Sequence, residues 1–222
     1  MDLTVLIGTC DAYRVLWKNF SICFNKFWPH LTHNVVVGET QEMPLYTSTF
    51  FTTLLCGDGV SWAQRMRQGA ELAHDHIFFI LEDYFLCYQY TKEQLNQYMS
   101  DMDKYNIDRL QIGPSDFQMY KEDPLVPYQR LDSTSNYLIC MQPSIWRKDF
   151  LLQALDPSYS PWEFELKGTK AVQASLPRIY YDSSLPFTSR PGDNLYFNAV
   201  RKGFQKSEGW EDFREAHNLE DF

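Results

Sequence analysis

The chain has 222 residues, 44% hydrophobic and 22% charged, which excludes a disordered or fibrous protein and suits one domain with a sizeable core. Its net charge of −9 leaves no Lys/Arg-rich face for a polyphosphate strand, so nucleic-acid binding is not expected; a phosphorylated small ligand can still be met locally through a metal ion. Aromatic residues make up 16%, enough to serve carbohydrate stacking as well as the core.

The opening "MDLTVLIGTC" holds an early acid and too short an apolar run for a signal peptide or membrane span. A cytoplasmic location is expected, and aromatic stretches such as "NKFWPH" leave peripheral docking at the inner face of a membrane open. "LTVLIG" (3–8) reads as a strand ending in Gly, and Leu16, Phe20, Phe24 and Phe27 then recur at helical spacing. "NVVVGE" (34–39) and "FFTTLLCG" (50–57) read as buried strands. In "VSWAQRMRQGAELAH" Trp62, Met66, Ala70 and Ala73 share a helix face, with Arg65, Gln68 and Glu71 largely off it and Ser61 as cap. The run 77–87 predicts a fourth strand, 91–105 a helix capped by Thr91, and 108–113 a fifth strand. Residues 114–133 predict a long loop, 135–146 a strand, "RKDFLLQAL" and "PWEFELKGTKAVQAS" helices, and "RIYYD" (178–182) a last strand. Strands alternating with helices predict an α/β fold with a mostly parallel, open sheet. The five cysteines, Cys10, Cys23, Cys56, Cys87 and Cys140, are odd in number and form no CxxC pair, as expected of reduced core residues.

In such a sheet ligands collect at the carboxyl ends of the strands. That selects Thr9, Cys10 and Asp11 after the first strand, Asp58 after the third, and Glu82 and Asp83 within "ILEDYFL". Two adjacent carboxylates at the end of an apolar run have two readings. They face solvent or pair with Arg65 or Lys92, or they hold Mg²⁺ or Mn²⁺, whose oxygen ligands typically include one or two carboxylates and substrate phosphates. A second acidic pair, Glu163 and Glu165 in "SPWEFE", also has two roles. The pair complements a helix start capped by Ser160, and a Glu beside Trp162 and Phe164 gains the raised pKa that suits a general base. No GxSxG, GxxxxGK[ST], GxGxxG or HExxH motif is present, and the five histidines show no metal-ligand spacing.

Taken in order, "TCDAYRVLWKNFSICFNKFWPH", "GDGVSWAQRMRQGAE", "ILEDYFL", "MQPSIWRKDFLLQAL", "SPWEFE" and "NAVRKG" resemble small bacterial glycosyltransferases of the GT-A fold. The likeness is to family 2-like enzymes of capsular and other surface polysaccharide synthesis, and it covers most of the chain. It implies a single GT-A-like (Rossmann-like) domain over 1–222, in which 1–113 binds the nucleotide sugar and 114–222 the acceptor. The implied activity is transfer from a nucleotide-diphosphate sugar, a UDP-sugar above all, to a hydroxyl of a glycan or lipid-linked glycan, with inversion. The resemblance assigns Asp83 to the Mn²⁺ or Mg²⁺ that bridges the donor diphosphate, Glu82 to that metal or to the ribose, and Thr9, Asp11, Asp58 and Arg65 to the donor nucleoside. It makes Glu165, with Glu163 as alternative, the base; it sets Trp146 and Arg147 near or under the acceptor, Trp162 on a sugar ring, and Arg201 and Lys202 by the diphosphate. The acidic motif is spelled Glu-Asp-Tyr where many relatives have Asp-x-Asp. Two further readings compete: a non-catalytic carbohydrate-binding scaffold that keeps the fold, and a nucleotidyltransferase, which would want a Gly-rich basic loop after the first strand.

Overall fold

The computed structural model describes residues 2–30, 33–41, 51–112, 120–121, 123–182, 196–201 and 205–222. Thirteen strands and seven α-helices are assigned among them. The first half alternates as its periodicity requires. β1 (Leu3–Gly8) leads through a 3₁₀ turn (Asp11–Leu16) into α1 (Trp17–Phe27), and β2 (Asn34–Gly38), β3 (Phe51–Leu55), α2 (Trp62–Glu71) and β4 (His76–Leu81) follow. Ser61 caps α2 by accepting from Gln64 N, and Thr91 forms a full capping box with Gln94 at the start of α3 (Lys92–Lys104).

A nine-stranded sheet has the order β3-β2-β1-β4-β9-β6-β10-β8-β7, with β6 at Arg109–Ile112, β7 at Tyr120–Lys121, β8 at Gln129–Leu131, β9 at Ser144–Arg147 and β10 at Ile179–Asp182. Pairing is parallel through β3, β2, β1 and β4 and again between β6 and β10; β9 is antiparallel to both its neighbours. Period-two alternation assigns each side chain a face. Val5, Ile7, Phe78 and Ile80 join the core under α1, α3 and α7 (Trp210–His217), while Leu6, Ile77, Phe79 and Trp146 join the core under α2, α4 (Lys148–Ala154) and α6 (Thr169–Gln173). The five cysteines are free, three of them buried.

Three predicted elements differ. The run 77–87 is not one strand: β4 stops at Leu81, the chain turns at Glu82 and Asp83, and β5 (Tyr84–Leu86) leaves to pair with β11 (Tyr196–Asn198) in a separate ribbon. The predicted strand 135–146 is a strand only from Ser144. The backbone of the preceding stretch is held by side chains instead: Arg109 donates to the Leu138 carbonyl, Ile139 N donates to Thr169 and Met141 N to Glu165. The helix predicted from Pro161 is a composite of α5 (Pro161–Glu163), a π-turn (Phe164–Gly168) and α6. Residues 114–119 and 122 of the expected loop lie outside the described residues; the rest is not all loop, since it includes β7 and β8, which pair at the sheet edge.

Candidate functional site

β1 leads to β2 on one side and has β4 on the other, so chain order switches between β1 and β4, and in an open α/β sheet the ligand crevice lies at the carboxyl ends of the strands at such a switch. Gly8 lies opposite Leu81 at the end of that ladder, so the next residues out, Thr9 and Glu82, meet. The Thr9 hydroxyl donates to Glu82 Oε1 at 3.1 Å and accepts from Trp17 Nε1 at 2.6 Å, and Cys10 N donates to the same Glu82 oxygen at 3.3 Å. These bonds draw Glu82 inward to 5% exposure, and burial, with Asp83 adding repulsion, pushes its carboxyl up to about 8. Arg65 pairs with Glu39, not with this acid pair.

Asp83 is differently placed. Its carbonyl accepts from Ala199 N at 2.7 Å, pinning the turn to the chain after β11, but its Oδ1 is buried with no hydrogen-bond partner. Burial pushes its carboxyl up to about 6. A buried, unpartnered carboxylate oxygen is costly unless a cation comes to it. The donor set therefore fits a hard divalent ion through Asp83, with Glu82 held behind it by Thr9 and Cys10. Among the described residues no cluster of three or more His, Cys, Asp or Glu side chains cages a metal, so such an ion would draw its remaining oxygens from a ligand and water.

On the β2 side the loops are cross-braced. Asp11 accepts from Thr40 Oγ1 and from the backbone N–H groups of Thr40 and Gln41, while its own N–H donates to Glu39 Oε2 at 3.1 Å. Glu39 Oε1 takes Arg65 Nη1, which explains why Arg65, predicted off the apolar face of α2, is only 5% exposed. Asp58 sits exposed in a turn whose flanking glycines, Gly57 and Gly59, have φ of 84° and 80°.

The opposite wall comes from the second half of the chain. Glu165, in the π-turn, accepts from Met141 N at 2.9 Å, and burial raises its pKa while the field of Arg109 lowers it. It is close enough to the half-buried Tyr84 phenol to perturb it, as is Asp83. Glu163 is committed elsewhere: it closes the capping box with Ser160 and pairs with Lys167 at 2.7 Å, which holds its carboxyl down at about 2 and makes it a poor proton acceptor. Trp162 is 61% exposed on the same helix start. Trp146 is fully buried and stacked on Phe150, so it packs under this wall without lining it. Because β9 runs antiparallel, Arg147 emerges beside His76 at the opposite edge of the sheet and donates to Met102 O, Ile107 O and Asp103. A cavity of about 780 Å³ at that edge, lined by Arg147, His76, Asp103 and Lys148, is remote from the crevice. Arg201 is described only as strand backbone, and Lys202 lies outside the described residues.

Sequence reasoning passed over Glu39, Tyr84, Arg109 and Gln111. Glu39 follows a predicted strand as Asp58 does, and the carboxyl-end rule applied there would have found it. Tyr84 directly follows the acidic pair, whereas Arg109 and Gln111 carried no signal inside a four-residue buried strand.

No family model and no curated protein matches the sequence. Solved structures do match in three dimensions. The chain superposes on residues 1–349 of S. aureus TarS with a TM-score of 0.53, 16% identity and 83% coverage, and on a UDP-glucose pyrophosphorylase complexed with UDP-glucose with 0.55, 10% and 98%. A CMP:2-keto-3-deoxy-manno-octonic acid synthetase complexed with CTP gives 0.52, 9% and 85%. The chain spans 58% of that TarS fragment and 35% of a longer TarS chain, against 99% of the pyrophosphorylase and 93% of the synthetase. At these identities the likeness establishes the fold, a GT-A-like, Rossmann-like α/β domain.

Proposed function

From this fold and crevice, we propose a glycosyltransferase that moves a sugar from a nucleotide-diphosphate donor, a UDP-sugar in the leading version, to a hydroxyl of a glycan or lipid-linked acceptor. Asp83 carries the reading, because its buried Oδ1 has no partner at the carboxyl ends of β1 and β4. A pyrophosphorylase complexed with UDP-glucose and a synthetase complexed with CTP among the structural neighbours support the donor class. Asp83 would hold Mn²⁺ or Mg²⁺, an ion that neutralises a leaving diphosphate. Thr9, Asp11, Glu39 and Arg65 form the braced wall against which a nucleoside would be oriented, with Asp58 in the turn beside it. Glu165 faces the same region with a raised pKa and takes the proton of the attacking hydroxyl, which gives inversion. Trp162 offers an exposed ring on which an acceptor sugar can stack. A role in bacterial surface polysaccharide synthesis completes the reading, with action at a membrane face when the acceptor is lipid-linked. No helix among the described residues is long and apolar enough to cross a membrane.

Calorimetry and thermal shift with UDP- and GDP-sugars, with and without Mn²⁺, test it. Metal-dependent nucleotide binding that Asp83→Ala abolishes is expected, and Glu165→Gln is expected to cost about 10²–10⁴-fold in turnover without weakening donor binding. If no nucleotide binds, or Asp83→Ala changes nothing, the proposal fails. Glycan binding that ignores both metal and nucleotide would favour the scaffold reading, for which Trp162 is the supporting residue. The pyrophosphorylase-like coverage keeps nucleotidyl transfer as the competing enzyme reading; a 3₁₀ turn without glycine follows β1, in place of a triphosphate-cradling loop, and argues against it.

A further inference from the structure

Arg109 is completely buried. Ion pairs among the described residues engage Arg65, Arg67, Arg147, Arg178 and Arg214, but none reaches Arg109. Its fork goes to neutral groups: Nη1 donates to Leu138 O at 2.9 Å, and Nη2 to Cys140 Sγ at 2.8 Å, Ser144 Oγ at 2.8 Å and Gln111 Oε1 at 3.2 Å. Its Nε has no partner, and the guanidinium lies 4.8 Å from the centre of the Trp146 ring. A buried cation without a carboxylate in contact costs several kcal/mol unless something offsets it. Three of its contacts, Leu138, Cys140 and Ser144, hold the irregular stretch from Leu138 and the start of β9 into which it runs, and the N–H in the middle of that span, at Met141, is the one that meets Glu165.

We propose that Arg109 is a positioning residue for Glu165: it clamps the 138–144 stretch so that Met141 N–H is aimed at the carboxylate, and it supplies the buried positive charge that Glu165 answers through space. The proposal rests on Glu165 being the base. Among charged and titratable groups, Arg109 from β6 lowers Glu165's pKa, and the Tyr84 phenol of β5 interacts with both Glu165 and Cys140. Tyr84 is held far above the ordinary phenol value and so stays neutral, which leaves Arg109 as the cation acting on the carboxylate. Lys167 is engaged by Glu163. Desolvation at Glu165 is opposed by the Met141 N–H bond and by the field of Arg109, so removing Arg109 should take away the second and loosen the first.

The experiment follows the Glu165 carboxyl carbon by ¹³C NMR in the full chain, assigned by difference from Glu165→Gln. Arg109→Met is expected to raise the pH at which Glu165 titrates by about one unit or more, and Arg109→Lys, which keeps the charge without the fork, to return it close to wild type. In UDP-sugar hydrolysis with Mn²⁺, Arg109→Met should lower kcat about tenfold with donor KM unchanged. If Arg109→Met does not fold, the double variant Cys140→Ala/Ser144→Ala loosens the clamp alone and should cut amide-exchange protection at Met141 about tenfold. An unchanged titration in Arg109→Met, or unchanged Met141 protection in the double variant, overturns the proposal. A fully active Glu165→Gln protein would instead overturn the base assignment and leave the titration result standing.

Discussion

Glu82 and Asp83 are neighbours with different employment. Glu82 links β1 to β4 through Thr9 and Cys10, whereas Asp83 keeps a carboxylate oxygen free at the crevice. Glu82's carboxyl, pushed up to about 8 from an ordinary 4.5, holds a proton in the folded protein that the unfolded chain releases at lower pH. The stability this contributes is fully present below about pH 4.5 and is lost as pH rises through about 8. In chelator-treated protein Glu82→Gln should therefore flatten the fall in Tm across that window, and parallel curves for the two proteins would show that Glu82 does not titrate there. At this scale the sequence was half legible. Position after a strand found Thr9, Asp11, Asp58, Glu82 and Asp83, but two letters cannot say which acid turns inward, because Thr9 and Trp17 decide that from other elements.

Among the elements, α2 lies against the sheet at unusually close range. A Cβ on Gly69 would come 2.4 Å from Val37 Cγ2 and 2.7 Å from Leu6 Cδ1, both strand side chains in the core. Gly69→Ala gains about 1 kcal/mol of helix propensity, but overpacking of this kind costs about 1–3 kcal/mol, and neither contacting side chain is a flexible tail that can swing away. A net loss of about 1–2 kcal/mol is expected, read as a lower urea midpoint at constant m; a rise would mean that helix and sheet are less tightly apposed. Helix starts were legible because Ser61, Thr91 and Ser160 are chemically marked. The π-turn at Phe164–Gly168 was not, since its buried positions Phe164, Gly168 and Val172 keep a spacing that any helix satisfies.

For the molecule as a whole, the boundary near residue 113 divides sequence, not structure. β9 comes from the second half and is inserted between β4 and β6 of the first, and β10 pairs the far side of β6. A fragment of residues 1–113 leaves β4 without its neighbour β9 and β6 without either partner, so it should fail to give a dispersed amide spectrum; a folded fragment would show that β9 is dispensable. Strand alternation made the parallel part of this sheet legible. The antiparallel insertion was not, because a buried antiparallel strand flanked on both sides reads in sequence like a parallel one.

That insertion also sets a timetable. "IFFIL" of β4 is apolar on both faces, and its outer edge is covered by β9, whose paired residues come 65 to 71 positions later in the chain, from Phe79 with Ser144 to His76 with Arg147. At roughly 5–20 residues per second, a nascent chain displays that edge for several seconds before its cover leaves the ribosome. Through this interval the run is bracketed by Asp75 and His76 on one side and Glu82 and Asp83 on the other. In the unfolded chain the three acids are ionised and act as gatekeepers against edge-to-edge association. The acids that later shape the crevice thus serve first to keep β4 from finding the wrong partner.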